Sequence, residues 1–136
     1  MRALDPQLEE ALVQAARHAQ TRALAPYSRF HVGAALLVAG GEVITGCNIE
    51  NATYGLTLCA ERVALVKALS DGNSRFVALA VSADAALPTP PCGACRQMLW
   101  EYCGDIPVIM ANAREITMRA SLAALLPEPF GPANLQ

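Results

Sequence analysis

Cys92 and Cys95, in Pro91-Cys92-Gly93-Ala94-Cys95, form a Cys-x-x-Cys pair. Such a pair either ligates a metal or works as a redox dithiol. A third thiol, Cys59, stands thirty-three residues earlier in Cys59-Ala60-Glu61. Three thiolates converging on zinc leave one tetrahedral position open, as catalysis requires, whereas structural sites close it with a fourth protein ligand. Cys47 or Cys103 in that place would make the site structural, but neither stands in a second Cys-x-x-Cys knuckle. A redox dithiol leaves Cys59 unexplained. The two remaining cysteines are expected to be buried free thiols. Glu61 is a carboxylate in an otherwise apolar stretch, so it needs a partner or a task. It cannot comfortably share the metal edge with Cys59, yet it can reach a water on the metal.

Charge constrains the design. Zinc with three thiolates and a hydroxide carries about −2, which is costly in a buried place. The unpaired N–H groups and partial positive charge of two helix starts, one at Cys59 and one at Cys92, would offset it. Arg62 can add a full positive charge; its alternative use is a surface or inter-subunit salt bridge.

The elements that must position these groups follow from pattern. Asp5-Pro6 is a helix start, and Leu8, Ala11, Leu12, Ala15, Ala16 and Ala19 recur at helical spacing, predicting a helix over 6–23. Val32–Val38 and Val43–Cys47 flank Gly40-Gly41 and read as a hairpin. A loop over 51–57 follows, then an apolar helix from Leu58 to Leu69 of the kind buried in a layered domain. Phe76–Val81 is a short apolar strand, and Pro88, Pro90 and Pro91 stiffen the loop before a helix from about Gly93 to Tyr102. Val108–Ala111 and Ile116–Arg119 complete the strands, and a short helix over 121–125 precedes a Pro/Gly-rich tail. Helices alternating with short strands predict an α/β fold, a three-layer α/β/α sandwich around a mixed five-stranded sheet.

Composition sets the outer limits. At 136 residues the chain is expected to form a single domain spanning 1–136. A content of 54% hydrophobic and 16% charged residues excludes intrinsic disorder. So few charges imply that sister subunits cover part of the apolar surface. The net charge is −2 and nine arginines are scattered without a basic stripe, which argues against a nucleic-acid polymer as partner. No run approaches the length of a membrane span, and acidic residues stand where a signal peptide would be apolar. No membrane partner is therefore expected, and the cytoplasm is the expected address. The five cysteines, an odd number, argue against a disulfide framework. Neither His18 nor His31 has a ligand-like spacing, so both are read as non-catalytic.

A Cys two residues before a non-ligand Glu, followed by Pro-Cys-x-x-Cys, matches the pattern of the zinc nucleobase deaminases. More specifically, the chain resembles the small homotetrameric cytidine deaminases over nearly its whole length. The resemblance runs through Pro26-Tyr27-Ser28-Arg29-Phe30-His31-Val32-Gly33-Ala34-Ala35, Asn48-Ile49-Glu50-Asn51-Ala52 and Cys59-Ala60-Glu61-Arg62. It continues through Pro91-Cys92-Gly93-Ala94-Cys95-Arg96-Gln97 and ends at Phe130-Gly131-Pro132. It implies one Zn2+ per chain on Cys59, Cys92 and Cys95, with Glu61 as proton shuttle and a nucleoside as substrate. It further implies that Asn48 and Glu50 hold the ribose 3′-hydroxyl, that Phe30 packs on the base and that the Ala60 N–H meets the base O2. Tyr54 and Phe130 would complete pockets shared between subunits of a homotetramer. Core or interface packing is the simpler use of the three aromatic residues, and an exposed strand end that of Asn48 and Glu50. The implied activity is hydrolytic deamination of cytidine and deoxycytidine to uridine and deoxyuridine, in pyrimidine salvage. Its rivals are deamination of another cytosine compound such as blasticidin S, and a non-catalytic zinc-stabilised assembly module.

Overall fold

The structure, a computed structural model, describes residues 4–135. Asp5 caps the first helix, its Oδ1 accepting from the Gln7 and Leu8 N–H groups at 2.9 and 3.3 Å. Pro6 occupies the first turn, where the absent N–H costs nothing. This helix, α1, spans Pro6–Gln20 and stops short of the predicted residue 23. The chain leaves the helix because Leu24 pairs with another segment: its N–H donates to the Asn48 carbonyl and its own carbonyl accepts from Glu50, both at 2.9 Å.

Five strands follow the predicted order, with ends extended by a few residues: β1 Val32–Val38, β2 Val43–Cys47, β3 Phe76–Ala83, β4 Pro107–Ala111 and β5 Ile116–Ser121. They form one sheet in the order β2-β1-β3-β4-β5. Only β3 and β4 run parallel; the other neighbours are antiparallel. Helices α2 (Ala60–Ser70), α3 (Gly93–Cys103) and α4 (Leu122–Leu125) complete the fold, with short 3-10 turns at Tyr54–Leu56 and Pro132–Leu135.

Period-two alternation divides the central strands between two cores. Ala34, Leu36, Val38, Leu79, Val81, Val108 and Met110 pack with Ala64, Leu65 and Ala68 of α2 and Leu99 of α3. Ala35, Leu37, Ala78, Ala80 and Ile109 face Leu12, Val13 and Ala16 of α1. The result is the expected α/β/α sandwich. Two glycines let the outer layers close. A Cβ at Gly33 would strike the Ala16 carbonyl and the Gln20 backbone of α1. One at Gly46, on β2, would lie 2.6 Å from the Ala60 carbonyl and the Ala64 nitrogen of α2. The start of α2 therefore rests directly on the end of β2, which is what brings the site together.

α2 departs from expectation in one respect. Its apolar sequence predicts burial all round, yet Val66 is 44% exposed because no element among the described residues covers that side.

Candidate active site

Cys59 and Cys92 are the N-cap residues of α2 and α3, and neither thiol caps its own helix. Both sulfurs are thus free to face outward from a helix start. Cys95, in the first turn of α3, is fully buried. The Cys59 and Cys92 Sγ atoms lie 3.6 Å apart, and those of Cys92 and Cys95 3.3 Å apart. All three fall within 4.8 Å of one another and form the one metal-binding group found among the described residues. Sulfurs on a tetrahedral zinc with bonds of about 2.3 Å would be spaced by about 3.8 Å, so this donor set fits the ion in chemistry and in spacing. Cys47 and Cys103 lie outside the group, which removes a fourth cysteine ligand. They are free thiols, as expected, but only partly buried where burial was expected. The Cys47 Sγ donates to the Arg22 carbonyl at 3.5 Å, and Cys103 closes α3 against the core.

The thiols do not titrate alike. Hydrogen bonds from Cys95, then Cys92 and Arg62, draw the Cys59 thiol well below its ordinary range. Cys95 is pushed up, because its bond to Cys59 keeps its proton and burial disfavours a second charge. A divalent cation at the three sulfurs would replace that shared proton. Arg62 projects a guanidinium nitrogen to 3.9 Å from the Cys59 Sγ, and the thiolate charge raises the Arg62 pKa. Its Nε is buried without a hydrogen-bond partner, and among the described residues no carboxylate forms an ion pair with it.

Glu61 is 5% exposed as the second residue of α2, in its first turn and two residues beyond Cys59. Burial is the main cause that pushes its carboxyl up to about 7, aided by the Cys59 charge and opposed by its own backbone N–H and Arg62. A carboxyl poised near neutrality beside a metal-binding trio can take up and release protons at physiological pH. Ala60 is fully buried at the first position of the same helix, among the N–H groups that have no intrahelical partner.

Of the other expected residues, Asn48, Glu50 and Tyr54 gather around the segment 27–31. Asn48 is buried; its Oδ1 accepts from the Val32 N–H at 2.9 Å and its Nδ2 donates to the Phe30 carbonyl at 2.7 Å. The Glu50 carboxylate accepts from the Tyr27 and Ser28 N–H groups at 2.9 and 3.1 Å and from the Ser28 hydroxyl. Those bonds, the hydroxyl first, hold its pKa below the usual carboxylate range. Phe30 packs against the α2-side core. Tyr54 stacks edge-on against Tyr27, with ring centres 5.9 Å apart, and remains 74% exposed. A cavity of about 400 Å³ lies between Tyr27, Ser28, Glu50, Tyr54 and Thr57. Phe130 is also largely exposed, its carbonyl held by the Gln97 amide at 2.7 Å.

Two supporting groups were not singled out in the sequence. Arg96 donates from Nε to the Pro91 carbonyl and from a terminal nitrogen to the Leu125 carbonyl, both at 2.6 Å, which locks the turn that presents Cys92. Ser28 is the hydroxyl that fixes Glu50. Position within the quoted motifs was the only available signal for either.

Residues 6–111 match the model of the cytidine and deoxycytidylate deaminase zinc-binding region. The chain belongs to this deaminase family. It is 47% identical over 127 residues to the cytidine deaminase of Sporosarcina psychrophila, covering 93% of each chain. It is 51% identical over 122 residues to that of Halalkalibacterium halodurans, covering 89% of this chain and 92% of the relative. The crystal structure of cytidine deaminase from Burkholderia pseudomallei superposes with a TM-score of 0.86 at 45% identity, over 89% of this chain and 98% of that one. With the family's zinc-binding region matched and three thiols converged, this deaminase-family chain can hold one zinc ion at Cys59, Cys92 and Cys95.

Proposed function

We propose that the protein hydrolyses cytidine and deoxycytidine to uridine and deoxyuridine with release of ammonia, as an enzyme of pyrimidine salvage. The observation that carries this reading is the convergence of Cys59, Cys92 and Cys95 beside the buried carboxyl of Glu61. The named relatives, cytidine deaminases at 47 and 51% identity, support the substrate.

Zinc on the three thiolates would lower the pKa of a coordinated water toward neutrality and so supply the nucleophile. Glu61 takes the proton of the attacking water and places it on ring N3, which makes C4 electrophilic. After attack at C4 the same carboxylate takes the remaining proton from the new C4 hydroxyl and delivers it to the exocyclic nitrogen. The C4–N bond breaks, ammonia leaves, and the oxygen of water remains as the new carbonyl. One group serves as base and then acid, which its position near neutrality permits. Phe30 packs on the base, the Ala60 N–H meets O2, and Asn48 and Glu50 orient the ribose. Arg62 offsets the thiolate charge. Tyr54 and Phe130 serve pockets shared in a homotetramer. Exposed Tyr54, Leu56, Val66, Phe130 and Leu135 support that assembly, since together they leave apolar surface uncovered. We read residues 1–136 as one domain acting in the cytoplasm; no described helix is long and apolar enough to cross a membrane.

Glu61→Gln tests the assignment. The variant keeps its zinc content while turnover of cytidine, followed by ultraviolet absorbance, falls by about 10²–10⁴. Full activity in this variant removes Glu61 from the mechanism, and a wild-type protein inert toward cytidine removes the substrate.

A further inference from the structure

His31 has no part in the chemistry above, yet it is tightly held. Its backbone N–H and ring Nδ1 both reach the Asp84 Oδ2, at 2.9 and 2.8 Å. The other Asp84 oxygen accepts from the Gln20 Nε2 at 2.8 Å, and the same amide donates to the His31 carbonyl at 3.2 Å. The Gln20 Oε1 in turn accepts from the hydroxyl of Ser82, which is fully buried, at 2.6 Å. The end of α1, the end of β3 and the residue before β1 are tied into one knot. Gly33 permits it, because any side chain there would lift Gln20 off the sheet.

The knot borders a strained segment. Arg29 has φ of 61°, left-handed for a residue with a side chain. Such a conformation is strained and persists only where its surroundings over-determine it. On one side Ser28 is bound to Glu50 and accepts from the Phe30 N–H at 3.0 Å. On the other, Asp84 and Gln20 hold His31. Phe30 stands between the two anchors.

We propose that Asp84 and His31 are positioning residues that hold Phe30 in place as the wall against the base, through the Gln20–Asp84–His31 knot. This deepens the proposed function and rests on its reading of Phe30 as a substrate contact. A wall governs binding; the proton path through Glu61 does not pass through it. Loss of the knot therefore weakens substrate affinity without slowing the bound complex.

The test compares Asp84→Ala and Asp84→Asn with the wild-type holoenzyme, using cytidine kinetics, zinc content and amide hydrogen exchange. Hydrogen bonds to a charged oxygen set the scale. Asp84→Ala is expected to raise KM about tenfold, with kcat within about twofold and zinc content unchanged. Exchange at the Phe30 and His31 amides accelerates in parallel. Asp84→Asn keeps an oxygen for the His31 N–H but turns an amide N–H toward the Gln20 donor, so its KM is expected to lie between those of wild type and Asp84→Ala. An unchanged KM in Asp84→Ala overturns the proposal, as does a kcat that falls in step with kcat/KM, or an Asn variant as impaired as Ala. If Asp84→Ala does not fold, Gln20→Leu carries the same test, with a threefold or greater rise in KM expected and an unchanged KM overturning it. A wild-type protein inert toward cytidine refutes the proposed function instead, while amide exchange still judges the knot.

Discussion

Gly46→Ala is a one-methyl probe of how α2 is seated. The added carbon would lie 2.6 Å from the Ala60 carbonyl oxygen and the Ala64 nitrogen, and 3.0 Å from the Val63 Cβ. Two of these three are backbone atoms, which cannot swing aside as a side-chain tip does. Ordinary contact begins near 3.4 Å, so the first turn of α2 must retreat from β2 by about 0.8 Å. That turn carries Cys59 and Glu61, whereas Cys92 and Cys95 belong to α3 and stay behind. The displacement separates the site's two halves instead of moving them together. Overpacking of this kind costs about 1–3 kcal/mol, a fall in Tm of about 4–12 °C for a domain of this size. Misplacement of a reacting group by about 1 Å costs about 10²-fold in rate, so kcat/KM for cytidine is expected to drop about 10–100-fold.

The control is Gly40→Ala, where the new Cβ meets nothing within 4 Å and the backbone needs no left-handed conformation. Its Tm and kcat/KM are expected to match wild type. Thermal unfolding, zinc content and steady-state deamination on the two variants decide the matter. A Gly46→Ala protein with wild-type Tm and kcat/KM would refute the seating argument, because the contacts it rests on would then be slack.

Two further outcomes follow from the charges and thiols. Burial pushes the Cys103 thiol up to about 12, so at pH 8 a thiol reagent is expected to leave it unmodified in the native protein and to label it in denaturant; rapid native labelling, located by peptide mass, refutes this. Glu9 is paired with Arg119 at 2.7 Å, and that hydrogen bond holds the Glu9 pKa below its ordinary value. Solvent screens the pair, so Arg119→Ala should cost about 0.5 kcal/mol at pH 7. A depressed folded pKa stabilises above the unfolded value of about 4.3, and the difference is lost as pH falls through the folded pKa. Urea unfolding of both proteins across acid pH measures it, and a gap that persists below that point rules the pair out as its source.

The layer order was readable because the strands alternate with helices and each central strand is apolar on both sides, as Val32–Val38 shows. Asp5-Pro6 located a helix start to the residue, since capping is a local interaction between neighbours in sequence. The end of α1 was not local. It is decided by Leu24 bonding to Asn48 and Glu50, more than twenty residues away, and no spacing of apolar residues announces that. The exposed side of α2 has the same origin: composition reports that Val66 is apolar, but only the fold reports that none of the described elements covers it.

The three-thiol group was legible because coordination chemistry limits the residue types and a helix start limits their spacing, and Glu61, proposed as the proton carrier, drew notice as a carboxylate on an apolar helix. The groups that place them are chemically ordinary. Gly46 matters through the absence of a methyl and Arg96 through two carbonyls far apart in sequence; Asp84, proposed to serve Phe30 rather than the ligands, acts through the N–H of His31 just before β1. None has a motif, because what each supplies is a distance. The same reasoning explains Asn48 and Glu50. Asn48 already spends both side-chain polar atoms on the Phe30 and Val32 backbone, and Glu50 holds three donors of Tyr27 and Ser28. In their proposed role, whatever they offer a sugar hydroxyl would come from the remaining lone pairs and the second amide proton, with the protein bonds kept. Their geometry is fixed without a ligand, which in that role would lower the entropy cost of binding and tie affinity to the integrity of the 27–31 segment.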